Sequence, residues 1–281
     1  MLRTTALLLL ALIAFAGNSL LNRAALADGA IDWASFTVIR LVSGALMLTL
    51  LLGFRQGRAI WPKRDSWLMA LALFVYAAAF SLAYVQLSAG TGALILFALV
   101  QITMQGISIA KGTRPSALQW GGLALAFAGL VYLLLPGVTA PPLGATLMMA
   151  LSGVAWGVYS WLGRSVDDAR LATARNFLGS VPLALLLLPF VIGNPPPELS
   201  GLWLAVASGA LTSALGYIIW YAVLPRISVT LAATAQLSVP AIAAFGGVVL
   251  LSEVFGLRLL LGSLAIIGGI ALTLVPVRKA E

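Results

Sequence analysis

The chain has 281 residues, of which 62% are apolar and 9% charged, with a mean hydropathy of +1.08. A soluble domain carries roughly a quarter charged residues and needs that polar skin, so a water-soluble fold is excluded and a bilayer is the solvent this composition fits. With neither Cys nor His, disulfides, thiolate chemistry, most transition-metal sites and the usual proton shuttle are removed; no cofactor and no metal are expected, and the net charge of +8 reads as loops facing anionic lipid, with no nucleic-acid partner.

Ten apolar runs follow in chain order, at about residues 4–26, 34–54, 67–86, 91–110 and 117–135 and then 143–162, 171–192, 202–222, 229–251 and 257–277. Each suffices for a helix across roughly 30 Å of hydrocarbon, and none alternates with the period of two of a barrel strand. The expected fold class is therefore an all-α polytopic membrane protein of ten transmembrane helices. Ten spans of about 20 residues leave about seven residues per connection, too few for an extramembrane domain. The first run imitates a signal peptide ending at Ala25-Leu26-Ala27-Asp28. Asn18, Ser19, Asn22 and Arg23 separate its apolar core from that cleavage site, and the run is read as a span. With the N-terminus inside, inner segments hold twelve of the sixteen basic residues, among them Arg55, Arg58, Lys63, Arg64, Lys111 and Arg114, and outer ones hold Arg23 and Arg258. That asymmetry places both termini in the cytoplasm.

Polar side chains inside spans are costly and turn toward a bundle interior or a water-filled path. In the first span Asn18, Ser19 and Asn22 share a face; in the fourth, Gln101, Gln105 and Ser108 fall at i, i+4 and i+7; the ninth offers Thr234, Gln236 and Ser238 before Pro240. Such residues line a cavity or bond helices together. Pro240 lacks an amide donor, which frees a carbonyl and permits a kink, so it is a hinge candidate. Aromatics form a second set: Tyr76, Phe80 and Tyr84 in the third span, Trp156, Tyr159 and Ser160 in the sixth, Tyr217, Trp220 and Tyr221 in the eighth. Tyr84, Trp220 and Tyr221 fit an interfacial belt, whereas Tyr76, Phe80 and Trp156 lie too deep for one. Deep aromatics beside amides suit an amphipathic organic solute. The cavity is thus expected from spans one, three, four, six, eight and nine.

Arg40 and Arg175 lie within spans. Either is a candidate partner for a solute carboxylate; the alternative is snorkelling or bonding to free carbonyls. Glu253 closes the ninth span and either caps the turn into the tenth helix or serves a gate. Asp167 and Asp168 form a lone acidic pair that offsets Arg164 and Arg170 in a loop. With no carboxylate at mid-span and no second acidic cluster, a membrane enzyme is not expected. Gly153 and Gly157, in GxxxG spacing, and the alanines of the ninth span favour close helix approach.

The two halves are alike: Arg40-Leu-Val-Ser-Gly44 opens the second span as Arg175-Asn-Phe-Leu-Gly179 opens the seventh, and Gly122 to Gly129 matches Gly262 to Gly269. A repeat of five spans is odd, so its second copy enters from the opposite face; the expected units are 1–137 and 138–281, hinged over 136–143, where two prolines adjoin. Pro240, then Ser252-Glu253, then Gly262 to Gly269 resemble the repeat signature of EamA-type members of the drug/metabolite transporter superfamily. The resemblance spans essentially the whole chain, is strongest over 231–274, and runs closest to the YddG aromatic amino-acid exporters of bacterial inner membranes. The first half departs from it: no proline stands near Val100 and Gln101, and Lys111-Gly112-Thr113-Arg114 replaces the expected acidic residue.

That resemblance implies an inner-membrane, multi-pass transporter that exports aromatic or other neutral amino acids and related metabolites by alternating access, its partners a small-molecule solute and membrane lipid, functional as a monomer. No buried carboxylate or histidine is at hand to carry a proton, which points to facilitated diffusion or exchange. Transporters of anionic solutes such as sugar phosphates or nucleotide sugars, which call for more in-span arginines, cation-drug exporters, which call for a membrane carboxylate, and a channel, which lacks trans-stimulation, are the alternatives.

Overall fold

A computed structural model describes residues 2–112, 114–135, 140–223, 226–227 and 235–275, the side chains of 54, 55, 134 and 165 excepted. Thr113, Thr234, residues 136–139 of the expected hinge and the first part of the expected ninth span lie outside the described residues. The regular structure of the described residues is all helical, with no strand among them.

The helices are α1 (Leu2–Leu26), α2 (Trp33–Gln56), α3 (Trp67–Tyr84), α4 (Ala89–Ala110), α5 (Ala117–Leu134) and α6 (Leu143–Leu162). Then come α7 (Ala169–Ala184), a 3-10 turn at Leu185–Leu187, α8 (Leu188–Ile192) and α9 (Leu199–Ala207). A π-helical segment, Ser208–Leu215, leads directly into α10 (Gly216–Val223), and α11 (Ser238–Leu251) and α12 (Leu257–Thr273) complete the order. Among the described residues seven helical stretches are long and apolar enough to cross a membrane: those of α1 to α4, α6, the joined run Ala169–Ile192 and the joined run Leu199–Val223. The helices Ala117–Leu133, Ser238–Leu251 and Leu257–Thr273 are apolar but shorter.

Helix starts follow local chemistry. Asp32 accepts from the amides of Ala34 and Ser35 at the head of α2, Ser88 caps α4, Ser116 and Gln119 form a reciprocal box at α5, and Asp168 caps α7; each satisfies donors the first turn leaves unpaired. Asp168 also meets Arg170 at 3.6 Å in an exposed pair. Leucine, isoleucine, valine and phenylalanine cover the outer faces of the helices, as lipid requires, while the interior is paved with alanine, glycine and serine.

The principal packing partners are α5 with α12, α3 with α6, α4 with α6, α2 with the π segment, α4 with α11, α2 with α7, α3 with α7, and α1 with both α10 and α11. Glycine permits the closest approaches. A Cβ on Gly122 would lie 2.5 Å from the Gly269 carbonyl oxygen, and the one on Gly262 would lie 3.7 Å from the Gly129 carbonyl oxygen. The two glycine pairs recognised as alike in sequence therefore face each other, on helices that run antiparallel. Gly153 and Gly157 sit against the Leu96 and Val100 carbonyls of α4, which gives the GxxxG pair of α6 its packing role.

Two expectations about single residues are corrected. Tyr84 and Trp220 are not interfacial belt residues: Tyr84 is fully buried, its ring edge-on to Phe80 at 4.6 Å and its hydroxyl donating to the Ala89 carbonyl, and Trp220 is buried against Phe15 at 5.6 Å. The neighbouring elements, α4 for Tyr84 and α1 for Trp220, cover rings that would otherwise reach the interface. Pro240 occupies the first turn of α11, where a missing amide costs no intrahelical bond, and the interruption at Leu237 precedes it.

Candidate functional site

The centre of the bundle is a hydrogen-bonded polar layer that joins α1, α2, α3 and the π segment. Asn18 Nδ2 donates to the Tyr76 hydroxyl at 3.2 Å, and Asn18 Oδ1 accepts from the Ser208 hydroxyl at 2.7 Å and the Thr212 hydroxyl at 3.4 Å. Asn22 Nδ2 donates to the Asn18 carbonyl at 2.8 Å and to Ser208 Oγ at 3.2 Å, while Asn22 Oδ1 accepts from Ser81 Oγ at 3.1 Å. Each amide thus uses both of its ends, the condition for burying it at tolerable cost.

The π segment makes this layer. Its wider turns occur where ligand chemistry is often found, and here they bring Ser208 and Thr212 to α1 and Ser213 to α2. Gly209 is obligatory for that approach: a Cβ there would collide with the Arg40 carbonyl oxygen and Ser43 Oγ.

Arg40 continues the layer. Its side chain is 1% exposed, so it does not snorkel; the helices around α2 shut off the route to the interface. Nε donates to Ser213 Oγ at 3.3 Å and Nη2 to the Tyr76 hydroxyl at 3.1 Å, and the guanidinium carbon lies 5.1 Å and 5.2 Å from the Tyr76 and Phe80 ring centres. Nη1 has no partner among the described residues, and Arg40 belongs to neither ion pair found among them. Arg175 is elsewhere: half-buried, it donates Nε to the Ala59 carbonyl at 2.8 Å and holds the 3-10 turn after α2.

Against the polar layer lies a small cavity of about 20 Å³, lined by Phe15, Asn18, Ser19, Tyr76, Phe80, Leu96, Phe97, Trp156, Thr212 and Tyr217. Its aromatic wall is continuous, with Trp156 4.8 Å from Tyr76 and 5.0 Å from Tyr217 between ring centres. A volume of 20 Å³ holds about one water, so an organic solute fits only once these side chains move apart.

Of the residues expected to line a cavity, the structure gathers Asn18, Ser19, Tyr76, Phe80, Trp156 and Tyr217 here. Tyr159 stands behind the wall, stacked on Trp156 at 5.1 Å and accepting from Asn176 Nδ2; Ser160 is half-buried and outside the lining. Gln105 is spent on α12, donating to Thr273 Oγ1 at 2.6 Å, and Gln101 is half-buried outside the lining. From Gln101 onward no residue of α4 is fully buried, because this half of the helix leaves the core beside α12. Ser238 donates to its own neighbour's carbonyl at Ala235, and Gln236 is half-buried. The expected contribution of the ninth span is therefore replaced by Phe15, Leu96, Phe97 and Thr212. Three of those four are apolar and carry no sequence signal of a cavity.

Above the cavity one end is latched. Arg23 Nε meets Glu253 Oε1 at 3.1 Å, and Arg23 Nη1 donates to the Tyr84 and Val85 carbonyls at 3.2 and 3.0 Å. Glu253 accepts the Ala89 amide with both oxygens, at 3.1 and 2.9 Å. The cation thus caps the end of α3, the anion caps the start of α4, and each charge suits the helix dipole it faces. Among the described hydrogen bonds the Glu253 carboxylate accepts from Arg23 and the Ala89 amide and from no amide of α12; the backbone at Ser252 just before it is left-handed, φ 54°.

The apolar helices and this polar, aromatic interior are those of a multi-pass α-helical membrane protein. Residues 143–275, just under half of the chain, match the EamA-like transporter family. An uncharacterized protein of Pseudomonas aeruginosa is 52% identical over 274 residues, covering 98% of this chain and 95% of its own. An uncharacterized transporter of Archaeoglobus fulgidus is 27% identical over 223 residues, covering 75% and 80%. A crystal structure of a further protein has a TM-score of 0.67 at 20% identity, over 96% of this chain and 97% of that one; that likeness is one of fold.

Proposed function

We propose that this transporter carries aromatic or other neutral amino acids and related metabolites out of the cell across the inner membrane, by alternating access, as facilitated diffusion or exchange. The observation that carries the reading is the central cavity, where Tyr76, Phe80, Trp156 and Tyr217 face the amide of Asn18 and the hydroxyls of Ser19 and Thr212. Ring faces suit an apolar solute body and the polar layer suits its charged end. The likeness to YddG-type exporters points the same way.

The architecture proposed with it is two inverted repeats, 1–137 and 138–281, ten spans in all with both termini in the cytoplasm. The packing pattern supports it. Exchanging each early span with its late counterpart turns α3 on α6 into α10 on α1, α4 on α6 into α11 on α1, and α2 on the π segment into α7 on α3. The pairs α5 with α12, α2 with α7 and α4 with α11 map onto themselves, as a two-fold axis in the membrane plane requires. In this orientation the Arg23 latch faces outward and the conformation is closed to the outside.

The test is counterflow in proteoliposomes: labelled phenylalanine should enter saturably, faster with unlabelled amino acid inside, and without an imposed pH gradient. Trp156→Ala removes the ring that touches Tyr76, Tyr159 and Tyr217, and burial of such a ring is worth about 1.5–3 kcal/mol. Phenylalanine counterflow at limiting solute should fall about tenfold to a hundredfold. Unchanged counterflow in that variant would place the solute elsewhere, and uptake that requires a proton gradient would overturn the coupling.

A further inference from the structure

We propose that Arg40 and Tyr76 together form the carboxylate subsite of this transporter, so that a carboxylate is the obligatory feature of its solute; the inference rests on the solute pathway passing through the central cavity. A guanidinium at 1% exposure in a bilayer is expensive unless paired, and intramembrane charges of this kind mark function. Arg40 has ring faces on one side and two hydroxyls as acceptors, yet no carboxylate among the described residues neutralises it. Glu253 is engaged by Arg23 and the Ala89 amide, and Asp32 caps α2 two turns before Arg40.

Two donors are left open side by side. Nη1 of Arg40 has no partner among the described residues. The Tyr76 oxygen accepts from both Asn18 Nδ2 and Arg40 Nη2, which fills its lone pairs and leaves its O–H proton without an acceptor. A carboxylate has two oxygens with which to take one N–H and one O–H, and it brings the negative charge the site lacks. Tyr76 and Phe80 line the cavity while carrying Arg40 against their ring faces, so an incoming anion reaches the guanidinium once the cavity widens. A solute ammonium has no comparable welcome, since the polar layer offers it neutral acceptors only and a fixed positive charge nearby.

The experiment is a ligand panel on the purified full-length protein, read by thermal stabilisation in detergent. The panel holds phenylalanine, hydrocinnamate, which lacks the ammonium, phenethylamine, which lacks the carboxylate, and the aliphatic acid hexanoate. Charge-assisted hydrogen bonds of this kind correspond to about tenfold to a hundredfold in affinity, so phenylalanine and hydrocinnamate should stabilise at concentrations at least tenfold below any at which phenethylamine acts. In Arg40→Gln that ratio should collapse toward one, and Arg40→Lys should recover part of it; the wild-type panel stands even where a variant fails to fold. Stabilisation by phenethylamine equal to that by hydrocinnamate overturns the proposal, as does the absence of stabilisation by every carboxylate. Stabilisation by hexanoate without the phenyl compounds supports the subsite and instead overturns the aromatic amino-acid reading.

Discussion

Replacing Gly209 by alanine is expected to lower the melting temperature of the protein and to abolish transport together. The added methyl would collide with the Arg40 carbonyl oxygen and Ser43 Oγ. Because a backbone carbonyl cannot rotate away as a side chain can, α2 and the π segment must separate. Overpacking of this kind costs about 1–3 kcal/mol, which for a chain of this size lowers the melting temperature by roughly 3–10 °C. Transport suffers for a different reason: Ser208 and Thr212 would leave Asn18, and Ser213 would leave Arg40, which strands buried polar groups worth about 1–3 kcal/mol each. Gly106→Ala is the matching control. Nothing lies within 4 Å of a Cβ at Gly106, and removing a glycine from a helix interior gains about 0.5–1 kcal/mol, so that variant should melt at or slightly above the wild-type temperature and transport normally. Equal melting of the two variants would show that α2 and the π segment are not in such close contact.

The π segment was also the hardest feature to read from the sequence. Ser208–Leu215 is a run of small and apolar residues that an ordinary α-helix accommodates equally well, and its turns are widened by what it packs against. Apolar runs located the helices, since lipid imposes helicity, and among the described residues seven helical stretches reach membrane-crossing length; the starts of α6 and α12 fall at residues 143 and 257, where punctuation by proline and glycine places them. The composition of the cavity was legible where polarity and depth coincided, at Asn18, Tyr76 and Trp156. It was not legible in α4, because a stripe of Gln101, Gln105 and Ser108 says that one face is polar but not which neighbour that face meets. Gln105 meets Thr273, a contact set by the pairing of α4 with α12. The same limit applied to Glu253, whose partners Arg23 and Ala89 are more than 160 residues away in sequence.

That latch carries the second large effect. Glu253→Gln keeps an oxygen for the Ala89 amide but removes the ion pair with Arg23, an interaction in which both side chains are mostly buried, at 23% and 12% exposure. Hydrogen bonds to charged groups contribute about 1.5–3 kcal/mol, and the latch exists only while α1, α3, α4 and the segment after α11 are gathered at that end. With the alternating access proposed above, its loss should shift the equilibrium toward the conformation open at the Arg23 end by about tenfold to a hundredfold. Since the chain contains no cysteine, a single reporter is simple to install: Ser19 lines the cavity one helical turn below Arg23 and is 1% exposed. In Ser19→Cys, a membrane-impermeant maleimide applied from the Arg23 side should react slowly. In the double variant with Glu253→Gln it should react at least about tenfold faster, and Gly247→Ala, whose methyl would meet the Glu253 carboxylate, should accelerate it in the same direction. Labelling at the wild-type rate in both would mean that the ion pair does not hold that end shut and that closure rests on the helix contacts beneath it, the Tyr84 ring against Gly92 foremost among them.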